Sequence, residues 1–117
     1  MILIVGGEGA GKRDFAKSLG YRDADMADAC MDERPVIFHV ERLVLERPEA
    51  ADELYGALLK KEIVICNEVG SGIIPIDKTE RLGREAVGRL CVQLARQAEA
   101  VVRLVCGLPT VIKGEIK

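Results

Sequence analysis

The chain has 117 residues, of which 49% are hydrophobic, 31% are charged and 3% are aromatic, and its formal net charge is −2. This length and apolar content predict one compact domain, spanning residues 1–117, that is long enough to bury a core. A slightly acidic chain with so few aromatic rings has neither the basic stripe nor the stacking surface of a nucleic-acid-binding protein, so we exclude a nucleic-acid partner.

The first predicted element is an apolar strand over residues 1–5, which leads directly into the sequence G-G-E-G-A-G-K at residues 6–12. This sequence matches the phosphate-binding pattern G-x-x-x-x-G-K, and a helix predicted over residues 12–19 completes the required order of strand, loop and helix. The match predicts a P-loop, although a glycine turn without a ligand is the simpler alternative. The backbone and side-chain groups expected to hold phosphate belong to Gly6, Gly7, Glu8, Gly9, Ala10, Gly11 and Lys12.

Arg13 departs from the P-loop pattern, which has a Ser or Thr hydroxyl at this position to hold Mg²⁺. A guanidinium group has only donors and cannot coordinate a cation. Two interpretations are therefore open: Arg13 forms a salt bridge with a phosphate in place of the metal, or it points to solvent beside Asp14.

The next stretch, residues 21–34, is acidic and poor in large apolar residues, which predicts a mobile surface connection with at most one helical turn. Apolar runs at 35–40, 62–66, 101–106 and 110–113 predict strands, and the intervening patterns predict helices at 48–60 and 79–98. Leu82, Ala86, Leu90, Leu94 and Ala98 form the buried stripe of the last helix, and Asp77 with Glu80 resembles a capping box.

Strands that are almost continuously apolar are typical of a sheet covered on both faces by helices. Alternation of such strands with helices predicts an α/β fold, namely a mostly parallel sheet with flanking helices. Right-handed crossovers place all strand-to-helix loops at the carboxyl edge of the sheet, which is where we expect the functional site.

The loop N-E-V-G-S-G-I-I-P at residues 67–75 follows a predicted strand and is expected to form the lip opposite the P-loop. Glu68 is predicted to bind Mg²⁺ or a ribose hydroxyl, with capping of the loop's own N–H groups as the alternative. Asn67 is expected to bond the turn, and Gly70 and Gly72 to let the chain pass close to a ligand.

Two more polar residues lie near the end of the strand predicted at 35–40. His39 is expected to be a hydrogen-bonded strand histidine rather than a catalyst. Glu41 is a second candidate for a metal carboxylate, with a solvated loop charge beside Arg42 as the alternative. On the long helix, Arg84 and Arg89 are expected either to line the site or to pair with nearby glutamates.

The four cysteines form no C-x-x-C pair, so neither a zinc site nor a redox motif is predicted. We expect them to be small core residues in a reduced interior. Residues 1–5 are too short for a signal-peptide core, and no stretch is long enough to span a bilayer. These observations predict a cytoplasmic protein without a membrane partner. The cysteines are Cys30, Cys66, Cys91 and Cys106.

The opening M-I-L-I-V-G-G with Gly11-Lys12, followed later by N-E-V-G-x-G-I-I-P and a helix carrying Arg84, Gly88 and Arg89, resembles the adenosylcobinamide kinase/adenosylcobinamide-phosphate guanylyltransferase family. The resemblance implies a RecA-like P-loop NTP-binding fold that uses ATP or GTP, with Mg²⁺, on a corrinoid substrate. It also implies a homo-oligomer, and the apolar run at 111–112 is typical of a surface that contacts a partner.

The chain departs from the family at several positions. The family has Ser where this chain has Arg13, and the segment that carries its nucleophilic histidine is replaced by the acidic stretch at 21–34. The family sequence Gly-Arg-x-Asn-Gln here reads G-R-L-C-V at residues 88–92. We therefore expect phosphoryl transfer to be retained, with Lys12 and Glu68 as the catalytic residues, and guanylyl transfer to be lost.

Two other functions remain open. The first is a non-catalytic nucleotide- or corrinoid-binding subunit that keeps the fold, which the absence of a hydroxyl at position 13 favours. The second is a small-molecule kinase with a different acceptor.

Overall fold

The computed structural model describes residues 1–68 and 78–116. Six strands form one sheet in the order β2-β3-β4-β1-β5-β6. The strands are β1 (Ile2–Gly6), β2 (Met26–Asp28), β3 (Val36–Phe38), β4 (Ile63–Asn67), β5 (Ala100–Val105) and β6 (Leu108–Lys113). The helices are α1 (Lys12–Ser18), α2 (Val40–Glu46), α3 (Ala51–Leu58) and α4 (Lys78–Gln97), with single 3₁₀ turns at Asp23–Asp25 and Pro48–Ala50.

The sheet is parallel except for β6, as the alternation of strands and helices predicts. β1 lies at its centre and pairs in parallel with β4 and β5, so that Ile2 is opposite both Ile63 and Ala100. β6 runs antiparallel to β5 because only Cys106 and Gly107 separate the two strands, and both have positive φ, 51° and 77°. Such short connections make hairpins, since a parallel crossover needs a dozen or more residues.

Alternate residues of the central strands face two hydrophobic clusters. Leu3 of β1 packs in a cluster with residues of α2, α3 and α4, whereas its neighbour Ile4 packs with Ala16 of α1 on the other face. Helices on both faces explain why these strands are continuously apolar. A crevice at the carboxyl edge, between helices on opposite faces, is the usual ligand position in such sheets.

Two sequence predictions about the first half of the chain are wrong. Residues 21–34 are not only a surface connection, because β2 lies within them and buries Met26 and Ala27 at the edge of the sheet. The strand predicted over 35–40 ends at Phe38, and α2, which was not predicted, begins at Val40. His39 between them has φ 58°, a left-handed conformation that neither a strand nor a helix interior allows.

The helix predicted over 48–60 is a 3₁₀ turn followed by α3, and α4 lies within one residue of the predicted bounds. The predicted stripe of α4 is buried except at its first position, where Leu82 is 49% exposed. The cap predicted at Asp77 lies outside the described residues. Cys30 and Cys106 are exposed, so the prediction that all four cysteines are core residues holds only for Cys66 and, in part, Cys91.

In the described parts of the chain, we find no helix that combines the length and the apolarity required to cross a bilayer.

Candidate functional site

The glycine loop between β1 and α1 has a backbone that side chains would obstruct. Gly6 has φ 156°, and a Cβ atom added to it would lie 2.6 Å from the carbonyl oxygen of Leu104 on β5. Gly11 precedes α1 with φ 92°, and its added Cβ would lie 3.3 Å from Gly107. The loop is therefore closely packed against β5 and the turn that follows it, which requires glycine at both positions.

Backbone hydrogen bonds fix both ends of this loop. The Gly6 carbonyl accepts from the N–H of Glu68, 2.8 Å away, which joins the loop to the chain leaving β4. The Ala10 carbonyl accepts from the N–H of Gly107 at 2.9 Å, which joins the loop to the β5–β6 turn. The loop is thus held from both neighbouring strands of β1.

Lys12 is the buried cation of the loop, with 7% of its surface exposed. Its Nζ donates to the carbonyl of Gly7 at 2.5 Å, which folds the side chain back over the glycine loop. Burial lowers the pKa of the Lys12 ammonium group, and the carboxylate of Glu41 is the strongest of the charges that oppose this shift. An anion in the loop would favour the charged form further.

A cleft of about 800 Å³ opens beside Lys12 at the carboxyl edge of the sheet. Its volume is in the usual range for small-molecule sites. The lining residues come from the glycine loop, from α1, from the 3₁₀ turn before β2, and from β2, β3 and β4 or the residue that follows β3: Glu8, Gly9, Gly11, Lys12, Arg13, Asp14, Lys17, Asp23, Met26, Phe38, His39, Ile65 and Asn67.

Arg13 lines this cleft and is held by an aromatic ring. Its guanidinium carbon lies 4.7 Å from the centroid of the Phe38 ring, within the range of a cation–π contact. The ring of His39 contacts the same Phe38 edge-on at 4.8 Å, and its Nδ1 is 2.7 Å from a carboxylate oxygen of Asp28. Of the two interpretations of Arg13, this geometry favours a cation facing the cleft.

The two candidate metal carboxylates are both engaged. Glu68 forms a two-point ion pair with Arg103 of β5, with distances of 2.7 Å and 3.2 Å. Glu41 is only 5% exposed on the first turn of α2, so the alternative of a solvated loop charge is wrong. One of its oxygens accepts from the N–H of Asn67 at 3.0 Å, which ties α2 to the end of β4.

Among residues 1–68 and 78–116, the donor groups near the glycine loop do not fit Mg²⁺, the ion that the P-loop pattern implies. Position 13 offers a guanidinium group in place of a hydroxyl, and the Glu68 carboxylate faces the guanidinium of Arg103. Within residues 1–68 and 78–116, no three His, Cys, Asp or Glu side chains are grouped closely enough to hold a metal ion.

The remaining residues predicted for the site are placed as follows. Asn67 ends β4 and lines the cleft, whereas Gly70 and Gly72 lie outside the described residues. Arg84 pairs with Glu80 one turn earlier on α4, at 3.1 Å, as one of the alternatives predicted. Arg89 lines a groove with Val92 on the outer side of α4 instead of the cleft.

Two cysteines on the face of the sheet that α4 covers form a contact that the sequence does not predict. The sulfurs of Cys66 on β4 and Cys91 on α4 are 3.6 Å apart. The hydrogen bond between the thiols and burial raise the pKa of Cys66, and the same hydrogen bond lowers that of Cys91. Residues 25 apart in sequence give no signal of such a pair without the fold.

The sheet order, the glycine loop after its central strand and the flanking helices define an α/β protein of the P-loop class. The chain belongs to the cobinamide kinase / cobinamide phosphate guanyltransferase family, whose profile matches residues 37–112. It is also 37% identical, over 75 residues, to the bifunctional adenosylcobalamin biosynthesis protein CobP of Pseudomonas aeruginosa. That match covers 64% of this chain and 43% of the relative. The resemblance seen in the sequence is thereby confirmed.

Proposed function

We propose that this chain is a cobinamide kinase-like protein of cobalamin biosynthesis, which transfers a phosphoryl group from ATP or GTP to a corrinoid. The proposal rests on the position of Lys12. This lysine is buried, its side chain folds over the glycine loop, and it lies at the edge of a cleft of about 800 Å³. Membership of the family supplies the acceptor class, because the family is named for its action on cobinamide.

In the proposed reaction, the protein mainly positions the two substrates and stabilises the negative charge of the transferred phosphoryl group. The acceptor hydroxyl oxygen forms a bond to the terminal phosphorus, the bond to the nucleoside diphosphate breaks, and the hydroxyl proton is released. Lys12 and Arg13 offset the charge of the phosphoryl oxygens, and the glycine-loop N–H groups hold the remaining phosphates. Glu68, with its carboxylate fixed by Arg103, stays a candidate acceptor for a ribose hydroxyl.

Guanylyl transfer through a histidine is proposed to be lost. His39 is the one histidine of the chain, and its Nδ1 is engaged by Asp28 at 2.7 Å. We expect no GMP adduct after incubation with GTP, and a GMP-modified His39 peptide in mass spectrometry would contradict this part of the proposal.

The experiment is a product assay on the intact chain with ATP or GTP, adenosylcobinamide, and either Mg²⁺ or EDTA. Phosphorylated corrinoid, detected by liquid chromatography and mass spectrometry and absent with Lys12→Ala, is the expected result. Nucleotide binding without any product would favour the non-catalytic subunit instead, a function that Arg13 at the hydroxyl position supports. Release of nucleoside diphosphate only with other acceptors would indicate a kinase of different specificity. A cytoplasmic location and self-association belong to the same proposal.

A further inference from the structure

We propose that the cleft binds the polyphosphate of its nucleotide without a divalent cation, with Arg13 supplying the positive charge that a metal ion supplies in other P-loops. This inference rests on the proposed function, because it requires a nucleoside triphosphate in the cleft. It concerns the chemistry of binding and needs no further reacting group.

The position and the chemistry of Arg13 suit it to replace a metal ion. It directly follows the loop lysine, where a hydroxyl would otherwise hold the ion. Its guanidinium group is stacked 4.7 Å from the Phe38 ring centroid, and no ion pair joins it to a carboxylate of the described chain. A planar cation that is pre-positioned on a ring and lines a cleft suits bidentate contact with phosphate oxygens.

Three acidic side chains near the glycine loop and α1 are already engaged by other groups. A metal ion in the cleft would need oxygen ligands, yet Glu68 faces Arg103 at 2.7 Å and Glu41 accepts from the Asn67 N–H at 3.0 Å. Asp23 is paired with Lys17 at 2.9 Å. Recruiting any of these carboxylates to a metal would break an existing charged contact.

The charged side chains around the glycine loop also favour direct contact with phosphate. Lys12 and Arg13 are adjacent cations at the mouth of the glycine loop, whereas the cleft acids Glu8 and Asp14 have no guanidinium or ammonium group within salt-bridge distance in the described chain. A triphosphate at the glycine loop would contact both cations, and within the described chain Glu8 and Asp14 belong to no group of three His, Cys, Asp or Glu side chains that could hold a metal ion.

The test is isothermal calorimetry of ATP, GTP and inorganic triphosphate, titrated into the intact chain with either EDTA or Mg²⁺ in the buffer. We expect binding in EDTA that is as tight as in Mg²⁺. Inorganic triphosphate separates the phosphate contacts from those of the base and ribose.

Arg13→Ser tests the assignment to this residue. Charged hydrogen bonds of this kind are worth about 10- to 100-fold in affinity, so we expect a loss of that size in EDTA. Mg²⁺ should recover part of the loss, because the new hydroxyl completes the P-loop pattern. Arg13→Lys should fall between the two proteins. Arg81→Ser removes the same charge from an exposed position on α4, so its affinity should equal that of the unmodified chain. Circular dichroism checks that all variants are folded.

The outcomes separate binding without a metal ion from the proposed function. Binding that requires Mg²⁺, or an Arg13→Ser variant that binds unchanged in EDTA, would overturn this inference and leave the proposed function intact. An absence of binding in both buffers would overturn the inference and the proposed function together.

Discussion

Lys12 is the residue on which the site depends. It is buried to 7% exposure, yet within the described chain its Nζ has one hydrogen-bond acceptor, the Gly7 carbonyl at 2.5 Å. An ammonium group has three donors, so the side chain retains capacity for phosphate oxygens. A buried cation with donors to spare is costly unless an anion joins it, which is the physical basis for the proposed phosphate site.

Replacing this lysine should therefore remove most of the affinity for nucleotide. We expect Lys12→Ala to weaken the binding of ATP and GTP by about 10- to 100-fold or more, since a charge-assisted contact is lost. Calorimetry measures the change, with Lys60→Ala as the control because Lys60 is an exposed lysine outside the cleft. Equal affinities of the two variants would contradict a phosphate contact by Lys12.

The lowered pKa of Lys12 predicts a dependence of binding on pH. A bound phosphate favours the charged ammonium group, so above the pKa of the free protein binding must take up a proton. Affinity should then fall as pH rises toward the ordinary lysine range, and the fall should begin at a lower pH than for a lysine of ordinary pKa. Lys12→Arg, whose side chain stays charged, should show a flat profile over the same range in calorimetry. Parallel profiles would argue against titration of Lys12.

At the residue scale, sequence motifs located the glycine loop, Lys12 and Asn67, because each follows an apolar strand at the carboxyl edge. They did not reveal what holds each side chain. The contact of Arg13 with Phe38 joins residues 25 apart in sequence, and the pair of Asp28 and His39 joins two separate strand ends. Such contacts depend on strand order, which local patterns do not specify.

At the scale of elements, α4 is the long helix that packs on one face of the sheet, against β1 and β4. Leu94 has no exposed surface and belongs to the cluster shared with β1 and β4, whereas Leu82 on the first turns of α4 is 49% exposed. The same residue type on one helix thus occupies two environments.

This contrast predicts unequal effects on stability. Leu94→Ala should lower the free energy of unfolding by about 2–5 kcal/mol, because it removes buried methyl groups and leaves a cavity. Leu82→Ala should cost less than about 1 kcal/mol, as is usual for exposed positions. Urea unfolding followed by circular dichroism compares the two variants. Similar losses of unfolding free energy would show that the N-terminal end of α4 is better packed than the exposure of Leu82 indicates.

The elements that sequence patterns missed are short. β2 has three residues, Met26–Asp28, and pairs on one side only, so its burial depends on β3 rather than on its own composition. α2 was hidden because the apolar run continues through Phe38 into Val40, while the backbone turns at His39 in a left-handed conformation. Long helices such as α4 were predicted well, since five positions at a fixed spacing outweigh any single residue.

At the scale of the whole molecule, the Cys66–Cys91 contact connects β4 of the sheet to α4. With sulfurs 3.6 Å apart and the pKa of Cys91 lowered, Cys91 is the more reactive partner. We expect hydrogen peroxide to oxidise the Cys91 thiolate to a sulfenic acid, which Cys66 then attacks to form a disulfide and release water.

Peptide mapping by mass spectrometry should find this crosslink as a loss of two hydrogens, reversible by dithiothreitol. The variant Cys91→Ser is the control and should leave Cys66 without an intramolecular partner on α4. A crosslink between the exposed Cys30 and Cys106 in place of this one would contradict the expectation.

The hydrogen bond from Gly107 to Ala10 has a consequence for engineering the chain. The two-residue turn between β5 and β6 also supports the glycine loop, because the N–H of Gly107 donates to the Ala10 carbonyl at 2.9 Å. A reporter peptide inserted between Cys106 and Gly107 would displace this hydrogen bond and make the glycine loop less firmly held. The insertion lies about 100 positions from the loop in sequence and changes no residue of the cleft. Fusions intended to leave ligand affinity intact should avoid this bend.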